Sequence, residues 1–185
     1  LADTMPDEII KEWDPPFFSL INHAKQINFP LKCIFNDSDK ECILRLKEKL
    51  KPYDEYVVEV GNEDANIYYR RVLELIKNPN RPGVFYLDPL HHDHLKFSTI
   101  REISTFTGSN ERKPELIINL MVLTMLKAVQ RKNPKDNQLI TESLGTDSWM
   151  KNLQNYQKKH RTHRLFCDTF CSQLRQMGYA SPSYL

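Results

Sequence analysis

Glycine is scarce in this chain: there are five among 185 residues, and none precedes Gly61. Loops that bring backbone amides against a phosphate or a cofactor consume glycine, because a Cβ blocks that approach. No Gly-x-x-x-x-Gly-Lys loop is present, which disfavours an ATPase, and the glycine fingerprint of dehydrogenases is missing too. Cysteine is sparse as well. Cys33, Cys42, Cys167 and Cys171 form no Cys-x-x-Cys pair, so reduced thiols and a cytoplasmic location are expected. No apolar run approaches the ~20 residues that span a bilayer, and no membrane role is expected. Residues 1–6 have neither the basic flank nor the apolar core of a signal peptide. No Ser-His-Asp or Cys-His elbow supports hydrolase chemistry.

A strong charge of one sign is also absent. The net charge is +2, too small by itself to argue for nucleic acid. Two basic clusters stand out locally: Lys127, Arg131, Lys132 and Lys135, then Lys158, Lys159, Arg161 and Arg164. A solvated helix face is the simpler reading of both. Hydrophobic residues make up 40% and charged residues 27%, which suits one globular domain over residues 1–185.

What is present is an alternation of short apolar runs and helical patterns. Residues 1–16 are irregular and interrupted by Pro6, Pro15 and Pro16. Phe18, Leu20, Ile21, Ala24 and Ile27 then give a helical face. A strand over Lys32–Phe35 ends at Asn36-Asp37, and Ser38 or Asp39 caps a helix over Lys40–Lys51. Tyr56–Val60 is the next strand, closing on Gly61 to Asn66, and a helix follows with Ile67, Val72, Leu73 and Ile76 inward. Gly83 to Leu87 is a third strand ending at Asp88-Pro89, before a polar loop at His91–His94 and a short helix over Ser98–Phe106. Glu115 to Leu120 is a fourth strand, followed by a helical stretch over Met121–Lys132 and a loop at Asn133–Asn137.

The part from 146 to 179 is helical. Trp149, Leu153, Tyr156, His160, His163, Cys167, Phe170, Leu174 and Met177 keep a near-heptad spacing, read as one or two helices docked on the sheet and ending at Gly178.

Strands that are apolar throughout and alternate with helices predict a largely parallel sheet covered by helices on both faces. Ligands of such sheets sit at the carboxyl ends of the strands. Here those ends carry Asp37, Asp64, Asp88 and Asn119. Asp37 can accept two ribose hydroxyls or can stabilise a helix start. Asp64, with its neighbour Ala65, can receive an adenine amine or can cap a helix. Asp88 can orient an amine or hydroxyl beside the rigid Pro89, or can close an ordinary turn.

Metal is not expected. His91, His92, Asp93 and His94 are contiguous and read as a polar loop over the pocket. His160, His163, Cys167 and Cys171 on one straight helix would spread over ~16 Å at 1.5 Å per residue.

These strand ends resemble successive motifs of class I S-adenosylmethionine-dependent methyltransferases. The segments are Cys33 to Asp37, Gly61 to Asn66, Phe85 to Leu90 and Leu116 to Leu120. Their order, with Leu144 to Trp149 and Leu174 to Tyr179, resembles more specifically the bacterial three-Cys-motif partner protein family, over about residues 15–179. The resemblance implies a Rossmann-like sheet with an S-adenosylmethionine pocket and a three-Cys-motif, radical-type protein as partner. It places Asp37 at the cofactor's ribose, Asp64 and Ala65 at the adenine, and Asp88, Pro89 and Asn119 at the transfer site. Nucleic acid is the substrate class expected. The alternative is a non-catalytic methyltransferase-fold module that binds a protein partner.

Against that pattern the first strand, its glycine loop and the last strands are missing. The missing first strand belongs between the strands ending at Asp37 and Asp88, and its loss leaves backbone groups that cost about 1–3 kcal/mol each when buried unpaired. Residues outside these 185, another segment in the slot, or a different strand order would each account for the gap; the first is favoured. An intact mass above that of 185 residues would support it.

Overall fold

The computed structural model describes residues 16–76, 83–106, 113–158 and 161–179. It is a mixed α/β protein whose described strands form two parallel pairs. The chain divides into two compact units, residues 1–63 and 64–185.

In the first unit, α1 (Pro16–Gln26) leads to β1 (Cys33–Asn36), α2 (Lys40–Leu50), a 3-10 turn (Lys51–Tyr56) and β2 (Val57–Gly61). Asp39 is the N-cap of α2, its carboxylate accepting from the amides of Glu41 and Cys42. Those two bonds satisfy donors that a helix start otherwise leaves without a partner. Lys51-Pro52 then tightens the chain into the 3-10 turn, because proline cannot continue the α-helical ladder. β1 and β2 run parallel with Phe35 beside Val60 and Asn36 beside Gly61. The core of this unit is small. Phe18, Ile21 and Leu50 are buried, with Phe17, Phe35 and Tyr53 among the half-buried residues packed on them.

The second unit contains α3 (Ala65–Leu75), β3 (Val84–Leu87), a 3-10 turn (His92–His94), α4 (Phe97–Thr105), β4 (Glu115–Ile118) and four further helices. These are α5 (Val122–Arg131), α6 (Pro134–Leu144), α7 (Ser148–Lys158) and α8 (Thr162–Gln176). β3 and β4 are parallel, with Phe85 beside Leu116 and Leu87 beside Ile118. One face of this pair, including Phe85, Leu87 and Leu116, packs against Tyr69 and Ile103 from the helices. The other face leaves Val84, Tyr86 and Ile117 more than half exposed.

The large core lies among the helices. Phe97, Ile100, Met125, Ile140, Leu144, Trp149, Leu165 and Phe166 are buried together. Each such side chain contributes roughly 1.5–3 kcal/mol of transfer free energy, so this cluster is the main apolar reserve of the unit. Gly145 ends α6 with φ 74°. A Cβ there would lie 2.3 Å from Cδ1 of Phe97, so backbone conformation and close approach both demand glycine. Trp149 follows, donating from Nε1 to Thr141 Oγ1 at 3.1 Å.

One element departs from the sequence reading. Residues 134–144 form a helix where a loop was expected to begin at Asn133; Asn133 caps it by accepting from the Lys135 amide, and Pro134 opens it. Proline is favoured there because its missing N–H is not needed in a first turn. The near-heptad is divided between two helices, one of the two arrangements expected: α7 ends at Lys158 and α8 begins at Thr162. Trp149, Phe170 and Leu174 of the series are buried, whereas His163 is exposed and Leu165 and Phe166, outside the series, are buried. His160 lies outside the described residues. Gly178 does end the last helix. Tyr179 N–H donates to Leu174 O and Gly178 N–H to Arg175 O, the paired bonds of a Schellman cap.

Candidate functional site

The ends of β1 and β2 are tied to each other. Asn36 Nδ2 donates to Glu63 O at 2.9 Å, and Glu63 N–H returns a bond to Asn36 Oδ1 at 3.1 Å. Asn62 Nδ2 donates to the backbone oxygen of Asp37 at 2.8 Å. The Asp37 carboxylate accepts from Asp39 N–H at 2.8 Å, the geometry of an Asx turn leading into the α2 cap. Asp37 is exposed and spends one oxygen on that turn.

In the second unit Asp64 is the N-cap of α3. Its Oδ1 accepts from Asn66 N–H at 2.7 Å and from Asn66 Nδ2 at 2.9 Å. Ala65 is the first residue of that helix and is exposed. Asn66 is saturated. Besides Asp64, its Nδ2 donates to His94 O, and its Oδ1 accepts from Lys96 N–H and Thr99 Oγ1, each at 2.8–2.9 Å. This single amide ties the start of α3 to the histidine loop and to the start of α4.

The ends of β3 and β4 are arranged differently. Asn119 Nδ2 donates to Asp88 Oδ1 at 2.7 Å, joining two neighbouring strand ends by one side-chain bond. Both residues are exposed. Beside them is a recess of about 10 Å³, room for roughly one water-sized group, lined by Pro89, Asn119, His92, Ser143, Met125 and Ile118 among others. Pro89 and Asn119, both expected at the transfer site, therefore share one recess, with Asp88 bonded to its Asn119 wall.

His92 is the residue that the sequence reading placed in a polar loop and that the structure buries, at 2% exposure. Thr124 of α5 holds it: the backbone N–H and ring Nδ1 of His92 lie 3.3 and 3.0 Å from Thr124 Oγ1, and that hydroxyl donates to Met121 O at 2.8 Å. Ser143 of α6 donates to His92 O. Burial pushes the His92 pKa below its ordinary value, and the neighbouring His91 adds to this, while Asp93 opposes it. The rest of the loop points its charge elsewhere. His91 Nδ1 contacts Asp93 Oδ1. Burial would raise the Asp93 pKa, but the hydrogen bond and charge of His91 outweigh it and the carboxyl sits below the usual range. Among the described residues no group of three His, Cys, Asp or Glu side chains converges as a metal site requires.

The sequence-chosen residues thus fall into separate sets. Asp88, Pro89 and Asn119 meet at one place. Asp64 and Ala65 start α3 in the same unit, and Asp37 belongs to the other unit. An S-adenosylmethionine site needs carboxylates for its nucleoside and backbone amides for its methionine part. Carboxylates of the right type end the strands, but Asp37 and Asp64 are each committed to a turn or cap, and among the described residues no glycine-rich loop supplies the amides. The described residues therefore do not by themselves fit the whole cofactor. No family model matches this chain, and no curated protein or solved structure is similar to it.

Proposed function

We propose that the chain is a methyltransferase-like α/β protein whose acceptor side is formed by the ends of β3 and β4. The observation that carries this reading is the Asn119–Asp88 bond, 2.7 Å long, beside the recess lined by Pro89 and Asn119. Ligands of parallel α/β sheets bind outside the carboxyl ends of the strands, which is where this group lies. A carboxylate oriented by a neighbouring amide can in turn orient a hydroxyl or amine. The observed parallel pairings, β1 with β2 and β3 with β4, are of the kind a Rossmann-like sheet contains. S-adenosylmethionine, when bound, would supply the methyl group; its amide cradle has to come from residues other than those described.

A three-Cys-motif protein is the partner this reading carries with it, and nucleic acid the substrate class. Lys127, Lys132 and Lys135 are exposed near the junction of α5 and α6, whereas Arg131 of the same cluster is engaged, its Nε donating to Asp136 at 2.7 Å.

The second reading is a non-catalytic module that binds a protein partner. Its support is the β3–β4 face on which Val84, Tyr86 and Ile117 are 57%, 60% and 54% exposed. Calorimetric titration with S-adenosylmethionine separates the two. Saturable heat that weakens in Asp37→Ala supports the methyltransferase reading, and a flat titration of the full-length protein favours the module.

A further inference from the structure

We infer that His92 Nε2 is the hydrogen-bond acceptor of a ligand site in the recess at the ends of β3 and β4, and that the group it receives is a neutral hydroxyl. The argument starts from Thr124. A threonine hydroxyl has one proton and two lone pairs. Met121 O lies 2.8 Å from that oxygen, in place to take the proton. With the proton there, both lone pairs serve His92, one for its backbone N–H and one for Nδ1. In that arrangement Nδ1 carries the ring proton and Nε2 is a bare lone pair.

That lone pair has no partner among the described residues. Among the described residues, His92 Nε2 is the buried side-chain polar atom without a hydrogen bond. A buried polar group in this state costs roughly 1–3 kcal/mol, so it marks a place where a donor belongs. His92 lines the recess and Thr124 does not; in the proposed site the nitrogen that Thr124 leaves alone faces that recess. The other walls decide what kind of donor fits. Leu95, Ile100, Ile118, Met125 and Phe170 are apolar, and no carboxylate is among the lining residues. Of the carboxylates nearby, Asp88 is bonded to Asn119, Asp93 contacts His91 and Asp136 accepts from Arg131. An ammonium there would lose its hydration without gaining a carboxylate, whereas a hydroxyl needs only one acceptor. The volume, about 10 Å³, admits the terminal group of a ligand and not its body. The ring is a positioning group, held by Thr124 and by the bond from Ser143 to the His92 carbonyl.

This inference deepens the proposed reading by naming a hydroxyl as the acceptor group, yet its test does not depend on the cofactor. The full chain, labelled with 15N in its histidine rings, is titrated with methanol at neutral pH while the two His92 nitrogens are followed by NMR. Acetonitrile, of similar size but without an O–H, serves as the control probe. The expected result is a protonated Nδ1, an unprotonated Nε2, and a saturable shift of Nε2 with methanol only. Thr124→Val should abolish the fixed tautomer, and with it the methanol response. A proton found on Nε2, an Nε2 that ignores methanol, or an equal response to acetonitrile would overturn the inference. A flat S-adenosylmethionine titration leaves it standing, and a silent Nε2 leaves the cofactor reading standing.

Discussion

The two described strand pairs are of similar length and the same parallel sense, yet their carboxyl ends are treated in opposite ways. At the end of β1–β2 the polar side chains close on themselves: Asn36 with Glu63, Asn62 with Asp37, and Asp37 with Asp39. At the end of β3–β4 a single bond, Asn119 to Asp88, leaves both residues exposed beside a recess that has its own buried imidazole. Asp and Asn at strand ends are therefore compatible with two jobs, stitching loops or facing a ligand. What separates them is how many of their bonds the backbone already takes. The open end is also supported from behind, by helices whose core is far larger than that of the first unit.

The largest effect should come from removing that support. In Gly145→Ala the new methyl would meet Phe97 and the backbone would keep a positive φ. An L-residue in that conformation costs about 1–2 kcal/mol and overpacking about 1–3 kcal/mol more. A loss of about 2–5 kcal/mol in denaturant unfolding is expected, together with broadening of the His92 ring signals. An unchanged midpoint would show that the helical core yields freely around Phe97.

Next in size is Asn66→Ala, which strips partners from the Lys96 amide and the His94 carbonyl at once. A loss of about 1–3 kcal/mol is expected, and the histidine loop should exchange its amide hydrogens faster. Asn36→Ala tests the closed end. It removes two neutral hydrogen bonds, both exposed to solvent and so worth about 0.5–1 kcal/mol each, and a loss of about 1–2 kcal/mol should appear. His92 belongs to the other unit, and its NMR signals should not respond. A change in His92 with Asn36→Ala would break the contrast between the two ends.

Much of the scaffold was legible because local chemistry reports it. Short apolar runs closed by Asp or Asn marked all four described strands, Asp39 read as a cap, and the parallel sense followed from the intervening helices. The helix from Pro134 to Leu144 was missed although Asn133-Pro134 is a good start signal, because the polar residues after it were read as a loop. His92 was beyond local reading for a different reason. In His91-His92-Asp93-His94 no periodicity tells which ring turns inward, and the groups that hold His92 come from Thr124 and Ser143, 32 and 51 residues away. Asn36 and Asp88 likewise look alike in sequence, and only their partners separate stitching from an exposed site.

The smallest effect is also the one that reads the buried ring most directly. His92 is held below its ordinary pKa by burial first and by His91 second; Arg131 pushes the same way, while Asp93 and Asp136 pull against it. In the unfolded chain the same imidazole titrates near 6.5. As pH falls through that value, the unfolded state takes up a proton that the folded state still refuses. Stability tied to His92 is therefore complete above about pH 6.5 and declines below it, until the folded ring also protonates. One proton limits the slope to about 1.4 kcal/mol per pH unit. Urea unfolding between pH 7 and 5 should show this decline in the native protein and a shallower one in His92→Gln, whose side chain does not titrate. The two proteins differ only at residue 92, so the difference between the two curves belongs to the ring. Parallel curves would mean that His92 is as easily protonated in the fold as outside it, and the recess would then hold a cation rather than a lone pair.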